Sequence, residues 1–268
     1  MAVQSNFQLE AGQVHLWAGV SERMLAGSAR SACERLLTSK ELEHCRGFHQ
    51  PAYRDEYLLS KALLRYALSH YGDRGGRDWA IVKDGFGKPG LSDDNQPAEA
   101  SLQFNVAQAG GLAVCAVTRG DSLGVDVETV ASDDRLLEDA EHYLAPQELK
   151  ALLSLPAQQR RSEFARYWTL KESYIKARGR GLSDLPLHSF GFDLSGTQPR
   201  LLDHDERAAN SCFELFEPSQ DFVVALALSG HSKADVSLFE ANVLARPQAL
   251  SDVHDLFPQH SPQQQVVI

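Results

Sequence analysis

Residues 167–182 read YWTLKESYIKARGRGL, and this stretch predicts a helix with both packing and charged side chains. At 100° per residue one face carries five of them: Trp168, Lys171, Glu172, Ile175 and Lys176. A solvated face rarely carries Trp and Ile, and a core face rarely carries charges unless they are paired or bound. We therefore expect this helix at the lip of a site. The structural alternative is a plain helix with one i,i+4 pair, worth about 0.3–0.5 kcal/mol.

Length and composition are those of an ordinary globular chain. Its 268 residues are 43% hydrophobic and 23% charged. No apolar run reaches the roughly 18–20 residues that cross a bilayer, and the N-terminus lacks the pattern of a secretory signal. The four cysteines show no CxxC spacing, so we expect reduced thiols without disulfides or a zinc site. These features predict a cytoplasmic protein with no membrane partner.

Charge is distributed unevenly along the chain. The net charge of −10 argues against a nucleic-acid partner, because such proteins usually carry a basic excess. Residues 158–180 nevertheless contain seven basic and two acidic side chains, a local charge of +5. This segment predicts a basic patch for a phosphorylated ligand or an acidic partner, and chance clustering on a solvated helix is the alternative.

The order of the predicted elements indicates an α/β (α+β) fold with two lobes. Hydrophobic periodicity predicts long helices at 54–71 and 160–177. It predicts strands at 13–20, 102–106, 112–117, 123–128 and 222–228. We expect two similar stacked lobes related by a pseudo-twofold axis, each a small, mainly antiparallel sheet packed against a long helix. The N-terminal lobe is assigned to residues 1–120, the C-terminal lobe with the metal site to 121–244, and a flexible tail to 245–268.

Two carboxylates share one face of a predicted strand. In the segment LGVDVE, alternation places Asp126 and Glu128 together, opposite two valines. Adjacent carboxylates repel each other, and Mg²⁺ is the cation that suits hard oxygen ligands. If Glu172 converges with them, three carboxylates form a metal site, with Lys176 one turn away and Lys88 approaching from the first lobe. A strand end that runs into solvent is the alternative.

Four motifs together resemble the signature of the 4′-phosphopantetheinyl transferases. They read GVDVE at 124–128, WTLKESYIK at 168–176, FGKP at 86–89 and FNV at 104–106. The resemblance covers roughly residues 36–228. The length is similar to that of the two-lobe, surfactin-synthetase-activating (Sfp) type and exceeds that of the short, trimeric holo-acyl-carrier-protein synthases.

The resemblance implies a reaction and a set of site residues. The reaction is Mg²⁺-dependent transfer of 4′-phosphopantetheine from coenzyme A, bound between the lobes, to a serine of an apo acyl or peptidyl carrier protein. It implies that Asp126, Glu128 and Glu172 hold the metal, with Glu172 as base and Lys176 as pyrophosphate contact. Coenzyme A binding is assigned by the same matching to His44, Lys83, Gly87, Lys88, Pro89, Asn105, Val106, Ala107, Gln108 and Lys176. Since both lobes belong to one chain, a monomer is expected.

One position departs from the family pattern. Ala107 and Gln108 stand where the family usually has Ser-His, so a neutral amide replaces a histidine that could contact the 3′-phosphate. We expect weaker coenzyme A binding with activity retained. Two other functions stay open: another Mg²⁺-dependent phosphoryl-group enzyme, and a non-catalytic carrier-protein-binding module with a decayed coenzyme A site. The helix at 160–177 argues against the first, because a simple hydrolase does not need it.

Overall fold

The computed structural model describes residues 7–92, 102–130, 137–179, 185–202 and 210–257. The chain is a mixed α/β protein that divides into two compact units. The first unit comprises Met1–Gly120 and Asp235–Asp252, and the second comprises Asp121–Ala234 and Val253–Ile268.

Along the chain, the regular elements occur in groups of helices and groups of strands. The strands are β1 (Gln13–Val20), β2 (Ile81–Lys83), β3 (Pro89–Leu91), β4 (Leu102–Ala109), β5 (Leu112–Arg119), β6 (Leu123–Thr129), β7 (Phe192–Asp193), β8 (Arg200–Leu201), β9 (Ser211–Ser219), β10 (Phe222–Ser229), β11 (Asp235–Glu240) and β12 (Gln248–Leu250). The helices are α1 (Ser21–Met24), α2 (Gly27–Leu36), α3 (Ser39–Gly47), α4 (Pro51–Leu68), α5 (Pro146–Ser154) and α6 (Ala157–Arg178).

The first unit is built on a five-stranded sheet in the order β12-β11-β1-β5-β4. Strands β1 and β11 pair in parallel, and the other neighbours are antiparallel. Helix α4 packs on this sheet through a leucine-rich stripe that includes the fully buried Leu59 and Leu63. The pair β2–β3 forms a separate hairpin.

Local sequence signals explain where the first-unit helices begin. Helix α4 starts with Pro51, whose missing N–H costs nothing at a helix N-terminus. Helix α3 follows a capping box in which Thr38 Oγ1 accepts the N–H of Glu41, and the Glu41 carboxylate accepts the N–H of Thr38.

The second unit combines a three-stranded antiparallel sheet with the long helix α6. The strand order is β6-β10-β9, and α6 packs against β6 and β10. Its core joins Leu170 and Tyr174 of α6 to Phe213 and Ala225 of the sheet, all less than 4% exposed. Each unit is therefore a small sheet with one long helix, as expected.

The segment after residue 234 differs from the sequence assignment. Residues 235–244 were assigned to the C-terminal lobe, but β11 pairs with β1 in the first unit, where Phe239 stacks on Trp17 with ring centroids 4.8 Å apart. The expected flexible tail contains β12, paired with β11, and the buried Leu256. A parallel partner more than 200 residues away leaves no local sequence signal, which explains the difference. Residues 258–268 of the expected tail lie outside the described residues.

Two expectations from composition can be compared with the structure. Cys33, Cys45, Cys115 and Cys212 are buried free thiols, as expected. Within the described ranges, each helix is either too short or too polar to span a bilayer.

Candidate active site

Strand β6 and helix α6 approach each other closely at Gly124. A Cβ atom at this position would lie 2.1 Å from the carbonyl oxygen of Ser173 and 2.4 Å from the amide nitrogen of Ala177. Any side chain would therefore push the helix off the strand. The Ser122 hydroxyl adds a hydrogen bond to the carbonyl of Ala177. This contact fixes the register in which the charged residues of both elements meet.

Asp126 and Lys176 form the first pair across this contact. Lys176 Nζ donates to Asp126 Oδ1 at 2.5 Å, and the Asp126 side chain is only 7% exposed. Burial raises the pKa of Asp126, and the Lys176 ammonium opposes that shift. Asp126 Oδ2 is buried and has no hydrogen-bond partner in the described part of the chain. A buried carboxylate oxygen without a partner is unfavourable unless a cation or water meets it.

Glu128 and Glu172 complete the acidic group. Burial, followed by the charge of Asp126, raises the pKa of Glu128 to about 7. Trp168 Nε1–H donates to Glu128 Oε1 at 3.2 Å and opposes that rise. Burial and then the charge of Asp126 also raise the pKa of Glu172. The charge of Asp126 thus disfavours ionisation of both Glu128 and Glu172.

The fit of a metal ion depends on these carboxylates. Within the described residues, no three His, Cys, Asp or Glu side chains already lie close enough together to hold an ion. The donor chemistry nonetheless fits Mg²⁺, because half-buried carboxylates with raised pKa values and the unpartnered Asp126 Oδ2 favour an added cation. Asp126, Glu128 and Glu172 are the residues that could hold it.

Lys171 has a different role from the one its helical face suggested. It is fully buried and forms an ion pair with the equally buried Glu148 at 2.8 Å. Its Nζ also donates to the carbonyl oxygens of Leu187 at 2.8 Å and Phe190 at 2.5 Å. Glu148 accepts two backbone N–H groups as well. Burial lowers the pKa of Lys171 and raises that of Glu148, and their attraction opposes both shifts. Lys171 therefore anchors α6 in the core and is absent from the expected lip.

Most cations of the basic segment at 158–180 already have partners inside the protein. Arg166, Lys171 and Lys176 pair with carboxylates. Arg160 donates to backbone carbonyls and Arg178 to the hydroxyl of Tyr174, and Arg161 also interacts within the chain. Arg180 lies outside the described residues. The local charge of +5 thus overstates what an acidic partner would meet. Most of these side chains would have to exchange an internal partner for an external one.

The FGKP motif at 86–89 lies at the turn of the β2–β3 hairpin. Asp84 Oδ1 accepts the backbone N–H groups of Phe86 and Lys88, both at 2.9 Å. Gly87 has φ +88°, a left-handed conformation that favours glycine. Burial lowers the pKa of Lys88, and the charge of Asp84 opposes this. Lys83 lies opposite Pro89 in the hairpin register, so the turn brings both lysines to one end of the hairpin.

The other predicted coenzyme A residues also belong to the first unit. In β4, Asn105 and Ala107 are buried, Val106 is half-buried and Gln108 is exposed. His44 is exposed on α3. The structure thus brings Asp126, Glu128, Glu172 and Lys176 together within the second unit, and the remaining predicted residues all lie in the first.

Two side chains, Trp168 and Lys61, make contacts near the predicted site residues that the sequence did not indicate. Trp168, an aromatic residue of the predicted helical face, hydrogen-bonds Glu128. The half-buried Lys61 lies 5.7 Å from the ring centroid of Tyr57, a ring that His44 also contacts. Burial lowers the pKa of Lys61, and the charge of Lys83 lowers it further. The i,i+4 spacing of Tyr57 and Lys61 in the helix was the available signal.

Comparisons with known proteins agree with the motifs. The family model described as the 4′-phosphopantetheinyl transferase superfamily matches residues 122–227. The 4′-phosphopantetheinyl transferase HetI of Nostoc sp. is 32% identical over 228 residues, which cover 84% of this chain and 91% of HetI. A 4′-phosphopantetheinyl transferase of Bacillus subtilis is 30% identical over 67% of this chain and 72% of its own length. Sfp of Bacillus subtilis is 27% identical over 65% of this chain and 73% of its own length. The chain belongs to the 4′-phosphopantetheinyl transferase superfamily.

Proposed function

We propose that this protein transfers the 4′-phosphopantetheine group of coenzyme A to a serine of an apo acyl or peptidyl carrier protein and releases 3′,5′-ADP. One observation carries the proposal. Four charged residues of the two signature motifs, Asp126, Glu128, Glu172 and Lys176, meet at the contact between β6 and α6. Membership of the family supports the same reaction.

Asp126, Glu128 and Glu172 are the proposed ligands of Mg²⁺. When bound, the ion supplies positive charge to the pyrophosphate of coenzyme A and offsets the charge that develops on the leaving group. The chain contributes three carboxylates whose pKa values are raised, first by burial and, in Glu128 and Glu172, also by the crowding negative charge of Asp126. That crowding favours a cation at this position.

Glu172 is the proposed base for the attacking serine. Because its pKa is raised, its carboxylate is a better proton acceptor near neutral pH than an exposed glutamate. The serine oxygen forms a bond to the β-phosphorus as its proton passes to Glu172, directly or through a water. The bond from that phosphorus to the oxygen shared with the α-phosphate breaks, and the electron pair leaves with 3′,5′-ADP.

Lys176 is the proposed contact for the pyrophosphate oxygens. Its side chain is 30% exposed, so the ammonium can reach a ligand without being pulled from the core. Leaving Asp126 for a phosphate exchanges one anionic partner for another. The positive charge then stabilises the departing 3′,5′-ADP.

First-unit residues are the proposed ligands of the nucleotide and its 3′-phosphate. They are His44, Lys83, Gly87, Lys88, Pro89, Asn105, Val106, Ala107 and Gln108. Gln108 is exposed and can donate hydrogen bonds to a phosphate but supplies no charge.

The decisive assay follows the intact mass of the carrier. Apo acyl and apo peptidyl carrier proteins are each incubated with the enzyme, coenzyme A and Mg²⁺, and with EDTA in a parallel sample. We expect a mass gain of one phosphopantetheinyl group, with equimolar 3′,5′-ADP, that EDTA abolishes. Cleavage of coenzyme A without a carrier would indicate a hydrolase instead. Carrier binding without any mass gain would indicate a non-catalytic module.

A further inference from the structure

The indole of Trp168 lies against a carboxylate of the proposed metal site. Its Nε1–H donates to Glu128 Oε1 at 3.2 Å. Two rings hold the indole in place: Tyr143 contacts it edge-on with centroids 5.1 Å apart, and Phe164 stacks on it at 6.0 Å. The donor is therefore fixed by packing and does not depend on a flexible side chain.

The other two tryptophans of the chain make no comparable contact. Trp17 donates its indole N–H to the hydroxyl of Tyr71 at 2.9 Å in the core of the first unit. The indole nitrogen of Trp79 is buried without a hydrogen-bond partner in the described part of the chain. The site tryptophan thus differs from both by the carboxylate it faces, and Trp79 provides a matched control.

A hydrogen bond from one donor to one carboxylate oxygen fixes the orientation of the carboxylate. Glu128 is a half-buried side chain, and the hydrogen bond at Oε1 restricts its rotation. Carboxylate ligands of metals are commonly held in this way, and loss of such a partner typically lowers metal affinity about 10–100-fold. We propose that Trp168 is a positioning residue whose indole N–H holds the Glu128 carboxylate in the orientation that binds Mg²⁺. This role rests on the proposed transferase function.

Trp168→Phe separates positioning from packing. Phenylalanine retains an aromatic ring between Tyr143 and Phe164 but removes the N–H donor. Trp79→Phe makes the same chemical change at a buried tryptophan remote in sequence. Carrier loading is measured against Mg²⁺ concentration for both variants and for the wild type.

The expected result is a change in metal dependence alone. Trp168→Phe should need about 10–100-fold more Mg²⁺ for half-maximal rate, and saturating Mg²⁺ should restore the wild-type kcat, with KM for coenzyme A unchanged. Trp79→Phe should keep the wild-type Mg²⁺ dependence. The proposal is overturned if both variants share one Mg²⁺ dependence, or if Trp168→Phe loses rate that Mg²⁺ does not restore.

A second readout does not depend on turnover. Three tryptophans give three indole ¹H–¹⁵N signals, which the Phe variants assign. When Mg²⁺ is titrated into the coenzyme A complex without carrier protein, the Trp168 signal should move and those of Trp17 and Trp79 should stay. A stationary Trp168 signal in an enzyme that loads carrier with Mg²⁺ contradicts the proposal. Failure of the wild type to load any carrier would contradict the proposed function instead, so the two failures are distinguishable.

Discussion

Two lysine–carboxylate pairs lie on the same helix and differ in how completely their polar atoms are satisfied. Lys171 and Glu148 are both fully buried, and hydrogen bonds to four backbone groups surround the ion pair. Lys176 is partly exposed, and its partner Asp126 keeps one buried oxygen without a hydrogen bond. The first pair is closed and structural, whereas the second is open to a ligand. The unpartnered oxygen of Asp126, more than the charges themselves, distinguishes the second pair from the first.

The most destabilising change should be the loss of one partner from the buried Lys171–Glu148 pair. Lys171→Met leaves Glu148 buried without its cation, which typically costs about 3–5 kcal/mol. The free energy of unfolding, measured in urea, should fall by that amount. Adding Glu148→Gln should recover part of it, because no buried charge is then left unpaired. A single variant as stable as the wild type would show that the pair does not anchor α6.

Loss of the lysine from the Lys176–Asp126 pair should lower activity strongly and stability less. Lys176→Met removes a group proposed to meet charge in the transition state, so kcat should fall about 10²–10³-fold. The free energy of unfolding should change less than in Lys171→Met, because the Lys176 side chain is partly solvated. Carrier loading and urea unfolding on the same samples provide the comparison. An unchanged kcat with a large loss of stability would assign Lys176 a structural role.

The affinity for Mg²⁺ should depend on pH, and this effect should be smaller than the loss of kcat in Lys176→Met. With a pKa of about 7, Glu128 is largely protonated at pH 6 and ionised at pH 8. Protons compete with Mg²⁺ for the ionised form, so the apparent Kd for Mg²⁺ should rise about tenfold from pH 8 to pH 6. Calorimetric titration in the presence of coenzyme A measures it. Glu128→Gln should flatten the profile, and an equally steep profile in that variant would exclude Glu128 as its source.

The smallest expected effect concerns coenzyme A binding. Gln108→His adds a partly cationic side chain at an exposed position of β4, and an exposed charge contact is worth about 0.2–1 kcal/mol. KM for coenzyme A should fall a few-fold while kcat stays the same. Gln103→His, earlier in the same strand, is the control. An unchanged or higher KM for Gln108→His would rule out this account of the Ala107-Gln108 departure.

Local periodicity was sufficient to predict most of the fold. Alternation predicted β1 with its bounds, and the apolar stripe predicted α4 to within three residues at each end. The parallel pairing of β11 with β1 could not be predicted in this way. It depends on a strand far along the chain and on contacts such as the stacking of Phe239 on Trp17.

The site was predictable in its residue types but not in its partners. Spacing and family resemblance selected Asp126, Glu128, Glu172 and Lys176, which meet in one unit. The same helical face also included Lys171, because a helical projection cannot show that Glu148 from α5 reaches it. Likewise, the link from Trp168 to Glu128 joins positions 40 residues apart and needs the contact at Gly124 to exist.

The central claim is that the carboxylates brought together at Gly124 perform the transfer, and one measurement tests it most directly. The initial rate of phosphopantetheine addition, followed by the intact mass of an apo carrier protein, is compared for Glu172→Ala and for Glu163→Ala on the same helix. Glu163 pairs with Arg166 at 3.1 Å and has no proposed part in the reaction. We predict that Glu172→Ala, although folded, adds no detectable group and that Glu163→Ala works at the wild-type rate. Loading by Glu172→Ala at the wild-type rate would contradict both its metal-ligand and base assignments.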